Sequence, residues 1–249
     1  MPALLCLVAH PDDETMLCGS TLALLATRGV EVHVAALTRG EGGETGEPPL
    51  TDREHLGQVR EREMVCAVGK LGGKSLTFLG YVDPTVGPGD ELYAPEHDPI
   101  MLSGQIIASL KQTGAQVLLT HGSNGEYGHP AHRLVHTAAM VAVASLGEAA
   151  PLAYSFAASY PSHPYPRLSN ADDPADVVVD VSGYLDQKEA AALCHVTQTA
   201  LFVRRRSEAA GHPLSVREVL LPAEAFRRQW PAHPVAGDVF LGWLGGLRG

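Results

Sequence analysis

Positive charge is scarce in this chain of 249 residues: 18 Lys plus Arg stand against 28 Asp plus Glu, for a formal net charge of −10. Nucleic acid is bound by Lys and Arg gathered on one face, so this balance argues against it as a partner. The one basic run, Arg204-Arg205-Arg206, lies in a stretch of helical character and reads as a solvated helix face. Cysteine is sparse as well. Cys6, Cys18, Cys66 and Cys194 form no C-x-x-C pair, and each lies in or beside an apolar run. That disfavours a thiolate metal site and points to buried free thiols in a reducing compartment rather than disulfides. No apolar stretch reaches membrane-spanning length once charges and glycines are respected. The first apolar run has no positively charged lead-in and stops at Asp12-Asp13-Glu14, unlike a signal peptide. A cytoplasmic protein is expected, and self-association into a homo-oligomer stays open.

Two chemical signatures are also missing. The Gly40–Gly46 loop lacks G-x-G-x-x-G spacing, follows the second strand rather than the first, and carries Glu41 and Glu44, which would repel a pyrophosphate. Gly122-Ser123-Asn124-Gly125 does not have the G-x-S-x-G spacing of a nucleophile elbow. Dinucleotide oxidoreductase and serine hydrolase readings are therefore weak.

What is present is a hydrophobic fraction of 45% and a charged fraction of 18%, the composition of an ordinary globular protein. Apolar or β-branched runs at Leu4–Ala9, Val30–Leu37, Ser75–Leu79, Gln116–Thr120 and Leu152–Phe156 read as strands. Helical stretches at Thr15–Thr27, Asp52–Leu71, Ile100–Lys111 and His129–Leu146 separate them. This alternation predicts an α/β fold, a Rossmann-like, mostly parallel sheet with helices on both faces. Residues 159–176 read as a long loop, Val177–Val181 as a further strand, and Leu185–Glu208 as one or two helices. A single domain over 1–249 is expected, with an α/β core at 1–158 that residues 159–249 complete.

In an open parallel sheet, ligands bind outside the carboxyl ends of the strands. The first strand ends at Ala9 and runs straight into His10-Pro11-Asp12-Asp13-Glu14; the fourth ends at Thr120, shortly before Glu126-Tyr127-Gly128-His129-Pro130-Ala131-His132. Both clusters thus fall on one edge of the sheet. His10 and Asp13, three apart at a strand-to-helix turn, can face one point. Pro130 suits the first helical position, which puts His129 at the cap and His132 in the first turn. A catalytic zinc takes three ligands of this kind and keeps a position for water, and Asp12 beside them can accept a proton. Either cluster alone reads as structural, an Asp-Asp-Glu run being a common helix start; together, at the ends of two parallel strands, they read as catalytic. His136, one turn deeper, reads as a packing group, and His33, His55 and His212 have no evident partners.

At these residues the chain resembles the LmbE-like, or PIG-L, family of zinc de-N-acetylases. The motifs are AHPDDE at Ala9–Glu14, LTRGEGG at Leu37–Gly43 and EYGHPAH at Glu126–His132, and the likeness extends through Lys188 and His195–Gln198. The family includes N-acetylglucosaminyl-phosphatidylinositol deacetylases and deacetylases of mycothiol and bacillithiol synthesis. The resemblance implies His10, Asp13 and His132 as ligands of Zn2+, and Asp12 as general base and later proton donor. It implies His129 as the group that stabilises the tetrahedral oxyanion, helped by Tyr127. Arg60 would hold the substrate and Asp83 would bind a sugar hydroxyl; these two rest on shorter motifs. Ala131 departs from the HPDH that many members carry and removes a carboxylate beside a ligand. The implied substrate is a small N-acetylated amino sugar. The rivals are a metal-dependent amidase or esterase acting on a non-sugar molecule, and a catalytically silent metal-binding protein.

Overall fold

The computed structural model describes residues 1–245. Its strands are β1 (Ala3–Val8), β2 (Glu31–Thr38), β3 (Ser75–Tyr81), β4 (Val117–Thr120), β5 (Leu152–Phe156), β6 (Ala158–Ser159), β7 (Asn170–Pro174), β8 (Val177–Asp180) and β9 (Ala223–Trp230). The helices are α1 (Asp13–Thr27), α2 (Leu56–Lys70), α3 (Pro99–Thr113), α4 (Pro130–Leu146), α5 (Leu185–Ala192), α6 (Val196–Ala210), α7 (Val216–Val219) and α8 (Val239–Trp243).

The main sheet has seven strands in the order β3-β2-β1-β4-β5-β9-β8. The first five are parallel. β1 is apolar throughout because it is covered on both sides, as parallel strands with helical crossovers are. Its Leu4, Cys6 and Val8 pack with α1 and α2, while Leu5, Leu7 and Ala9 pack with α3 and α4. Truncating any one of these buried leucines to Ala would cost about 2–5 kcal/mol. Helix starts follow local chemistry. Asp98 caps α3 by accepting from the amides of Ile100 and Met101 at 2.8 and 3.1 Å, with Pro99 in the first helical position.

The strand order reverses at β1. The chain leaves β1 toward β2 on one side and leaves β4 toward β5 on the other, which opens a crevice at their carboxyl ends. The two ends are tied directly: the Ala9 amide donates to His121 Nε2 at 2.9 Å.

Two expectations need correcting, and one strand was not anticipated. β9 did not stand out in the sequence, because Glu224, Arg227 and Arg228 break its apolar pattern; the strand nonetheless lies inside the sheet, antiparallel to β5 and β8. Its charges are neutralised in place, Arg227 by Asp176 at 3.1 Å and Arg228 by Asp238 at 3.0 Å. Glu224 is buried, and accepts from Lys188 Nζ at 2.7 Å and from the Ser20 and Thr21 amides of α1. The stretch read as a loop at 159–176 contains β7, which pairs with β6. Lastly, Cys66 and Cys194 are joined in a disulfide, 128 residues apart in sequence, instead of being free thiols. Spacing is silent about two cysteines brought together only by the packing of α2 against α5. Cys6 and Cys18 are free and buried, as expected. No helix among the described residues is long and apolar enough to cross a membrane.

Candidate active site

The turn after β1 is the centre of the site. Asp12 has φ 111°, a left-handed conformation that costs a residue with a Cβ about 1–3 kcal/mol. The surroundings impose it. The Asp12 amide donates to Glu14 Oε2 at 3.0 Å, and the other Glu14 oxygen takes Thr15 Oγ1 at 2.5 Å and His195 Nε2 at 2.8 Å. Arg60, 3% exposed, donates to the carbonyls of Pro11 and Gly40 and sits 3.6 Å from Asp12 Oδ2. The glycines of the second motif now have a reason. A Cβ at Gly40 would stand 2.1 Å from Arg60 Nη1, so the loop is glycine-rich to admit a guanidinium, not a phosphate.

Among the described residues, two clusters have donors placed to hold a metal ion: His10–His129–His132 and Asp13–His121–His132. Assigning protons removes one member of each, His121 and His129, and leaves His10, Asp13 and His132, a set that spans both clusters. His121 Nε2 already accepts the Ala9 amide, and its Nδ1 donates to Glu126 Oε2 at 2.9 Å, so it has no lone pair left. His129 Nδ1 accepts the Ala131 amide at 3.2 Å, which leaves the proton on Nε2 and makes that atom a donor. His132 is the reverse case: Nδ1 donates to Glu126 Oε2 at 2.6 Å, and the buried Nε2 has no partner. His10 Nε2 donates to Asp83 Oδ1 at 3.2 Å, leaving Nδ1 facing Asp13. His10 Nδ1 and His132 Nε2 each lie 3.4 Å from an Asp13 oxygen. Donors bound at ~2.0–2.2 Å to one tetrahedral ion stand about this far apart. Carboxylates holding the far nitrogen of each ring are the usual support of metal-binding imidazoles.

The electrostatics agree with a cation site. Burial opposes ionisation of Asp13, but His132, His10 and His121 hold its carboxyl well below the usual range. Burial likewise disfavours a charged His10, yet Asp13 and Asp83 raise its pKa to about 10. Without a metal the ring keeps a proton, and metal uptake must expel it. Burial pushes the Asp12 carboxyl up to about 6 despite the Arg60 guanidinium. Burial, then the charges of His10 and His132, lower His129 to about 3, consistent with a neutral ring.

The expected residues therefore converge, with two changes of emphasis. Arg60 and Asp83 line a polar cavity of about 450 Å³ beside His10 and His129. Arg60 also braces the Asp12 turn, however, and Asp83 orients His10. Tyr127, 49% exposed, stands edge-on to His129 and His132. His136 donates to the His121 carbonyl at 2.9 Å and is a packing group. The basic run is less solvated than its composition suggests. Arg204 pairs with Glu44 and Glu47, and Arg206 lies 3.4 Å over the Tyr165 ring.

Sequence reasoning gave no role to His121, Glu126, Asn170 or His195. His121 follows β4 at once, so its position at a strand's carboxyl end was the available signal. Glu126 was visible in its motif but had no assigned role. Its φ of 57° and its four partners, His121, His132, the Gly122 amide and Asn170, are tertiary facts. Replacing Glu126 by Gln should weaken metal binding about 10–100-fold, the usual effect of losing an outer carboxylate. Competition with a chromophoric chelator measures this, and unchanged affinity would show that His132 needs no such support.

Known proteins resemble this chain in sequence or in fold. A 1D-myo-inositol 2-acetamido-2-deoxy-alpha-D-glucopyranoside deacetylase of Catenulispora acidiphila is 36% identical over 156 residues, covering 56% of this chain but 44% of that protein. One from Mycobacterium sp. (strain KMS) is 30% identical over 239 residues, covering 83% of this chain and 77% of that protein. The N,N'-diacetylchitobiose deacetylase of Pyrococcus horikoshii has the same fold, with a TM-score of 0.62 at 18% identity over 91% of this chain and 83% of that one. So does the 4-carboxy-2-hydroxymuconate hydratase of Pseudomonas putida KT2440, with a TM-score of 0.61 at 21% identity over 95% and 99%. The fold alone therefore does not set the reaction. Residues 5–143 match the GlcNAc-PI de-N-acetylase model, PIG-L, and the chain belongs to that family.

Proposed function

We propose that this chain is a zinc-dependent hydrolase that removes the acetyl group from an N-acetylglucosaminyl-type conjugate. The observation that carries the reading is the pair of imidazoles, His10 and His132, each held at its far nitrogen by a carboxylate and turned at its near nitrogen toward Asp13. His10, Asp13 and His132 would hold the metal. Zinc, when bound, supplies Lewis acidity toward the acyl carbonyl and makes a water acidic, with a pKa of about 7.

The remaining steps fall to side chains. Asp12, half-buried and braced by Arg60, takes a proton from the attacking water and later returns it to the leaving amine. His129, neutral and protonated at Nε2, donates to the oxygen of the tetrahedral intermediate, and Tyr127 borders the same space. The Ala131 backbone amide, bonded to His129 Nδ1, keeps this ring a donor at Nε2 without making it a cation. The polar cavity, with Asp83, Asp90, Arg53 and Gln198 in its wall, suits the hydroxyls of a sugar. The names of the deacetylase relatives support an acetamido sugar as the substrate class.

Acetate release from a panel of N-acetylglucosaminyl conjugates tests the proposal. Turnover should vanish after treatment with a chelator and return with zinc. A zinc-loaded protein that releases acetate from no member of the panel would overturn it.

A further inference from the structure

A second cavity, about 600 Å³ in volume, opens from the same catalytic turn. It shares Asp12, Asp13 and Tyr127 with the polar cavity and is also bounded by His132. Beyond that mouth its character changes. Its walls include Met16 and Leu17 of α1, Phe202 of α6, Val219 of α7, and Leu221. Some of the charged groups in the wall are satisfied locally, while Arg167 and Arg205 also border the space. Lys188 and Glu224, about 1% and 2% exposed, are paired at 2.7 Å, and Arg206 is stacked on Tyr165. Leu201 and Arg205 line both cavities and so mark the divide between them.

From this arrangement we infer that the acyl site is not confined to acetyl: the enzyme also removes a large apolar acyl group, such as a medium-length alkanoyl chain, with the apolar cavity as its binding site. The inference rests on the hydrolase reading above and deepens it. A secondary amide is planar and trans, so the substituents on its carbon and nitrogen leave in opposite directions. For an amide held over Asp12, Asp13 and His132 with its hydroxyl-rich amine portion among Arg53, Asp83 and Gln198, the apolar cavity that opens from the same residues is the space left for the acyl portion. An acetyl methyl would leave nearly all of that space unfilled: a cavity of ~150 Å³ already accommodates benzene, and drug-sized ligands occupy pockets of ~300–1,000 Å³.

Three substrates offered to the zinc-loaded protein decide the matter: N-acetylglucosamine, N-octanoylglucosamine and octyl N-acetylglucosaminide, followed by release of free amine. Fully burying a methylene is worth about a fourfold gain in binding, so even partial burial of the octanoyl chain should raise kcat/KM at least ~30-fold over acetyl. Ala223→Trp, which narrows the cavity wall, should lower the octanoyl-to-acetyl ratio at least ~10-fold. Equal kcat/KM for the two acyl groups, or a gain only when the chain is moved to the glycoside oxygen, overturns the inference while leaving the hydrolase intact. Calorimetric titration of the two N-acylglucosamines supplies a readout independent of turnover. If neither is cleaved, the conjugate panel decides the hydrolase reading, and an octanoyl affinity less than ~10-fold above acetyl overturns the cavity assignment.

Discussion

Asp12→Asn is expected to lower kcat by about 10²–10⁴-fold with the metal still bound, the range typical of a lost general acid–base group. The amide has the same shape as the acid. It leaves the Asp12 backbone bond to Glu14 untouched and stays near Arg60, 3.6 Å away in the native turn. Only the capacity to accept a proton disappears. The pH profile gives a second check. With its carboxyl pushed up to about 6 by burial, Asp12 is protonated, and useless as a base, below that pH. kcat/KM should therefore fall as pH drops through about 6. A bound dication favours the carboxylate and moves this acid limb lower, never higher. Native activity with an unaltered acid limb in Asp12→Asn would remove this residue from the mechanism.

The second large effect separates two stacked histidines. The rings of His129 and His132 lie 4.6 Å apart, 17° from parallel, yet their protons are arranged oppositely. His132 offers a bare Nε2 to a metal, whereas His129 offers an N–H. His132→Ala should lose the metal and with it nearly all turnover. His129→Ala should keep near-stoichiometric zinc by elemental analysis and lose about 10²–10³ in kcat, with KM little altered, as removal of an oxyanion donor does. Full metal occupancy in His132→Ala, or metal loss in His129→Ala in step with activity, would reverse the assignment of the two rings. The Ala131 amide that fixes the His129 tautomer would then be the place to look for the error.

These pairings explain how far the site could be read before it was seen. His10, Asp12, Asp13, His129 and His132 were legible because each lies within a few residues of a strand's carboxyl end or a helix start, and short-range geometry reaches that far. The cap at His129 with Pro130 behind it is of this kind, and it formed as expected. Glu126 and His195 were not legible in their roles. Glu126 acts on a ring six residues ahead through a left-handed turn held by Asn170, and His195 reaches Glu14 across 181 positions. The resemblance implies Arg60 as a substrate-binding group, and only its packing on Gly40 and its bond to the Pro11 carbonyl show that it also braces the strained Asp12 turn.

By itself the amino-acid sequence determined the α/β class, the alternation of elements from β1 to β5, and the edge of the sheet where chemistry gathers. Those properties follow from hydrophobic periodicity and from local rules of capping and turns, which act within one or two turns of chain. Only the tertiary structure decided that β9 enters the sheet despite its charges, because Asp176, Asp238 and Lys188 arrive from distant segments to neutralise them. The same is true of the bond between Cys66 and Cys194 and of the tautomers of four histidines. It is true above all of the division of the site into a polar and an apolar cavity, since walls drawn from α1, α6, α7 and β9 have no common trace along the chain.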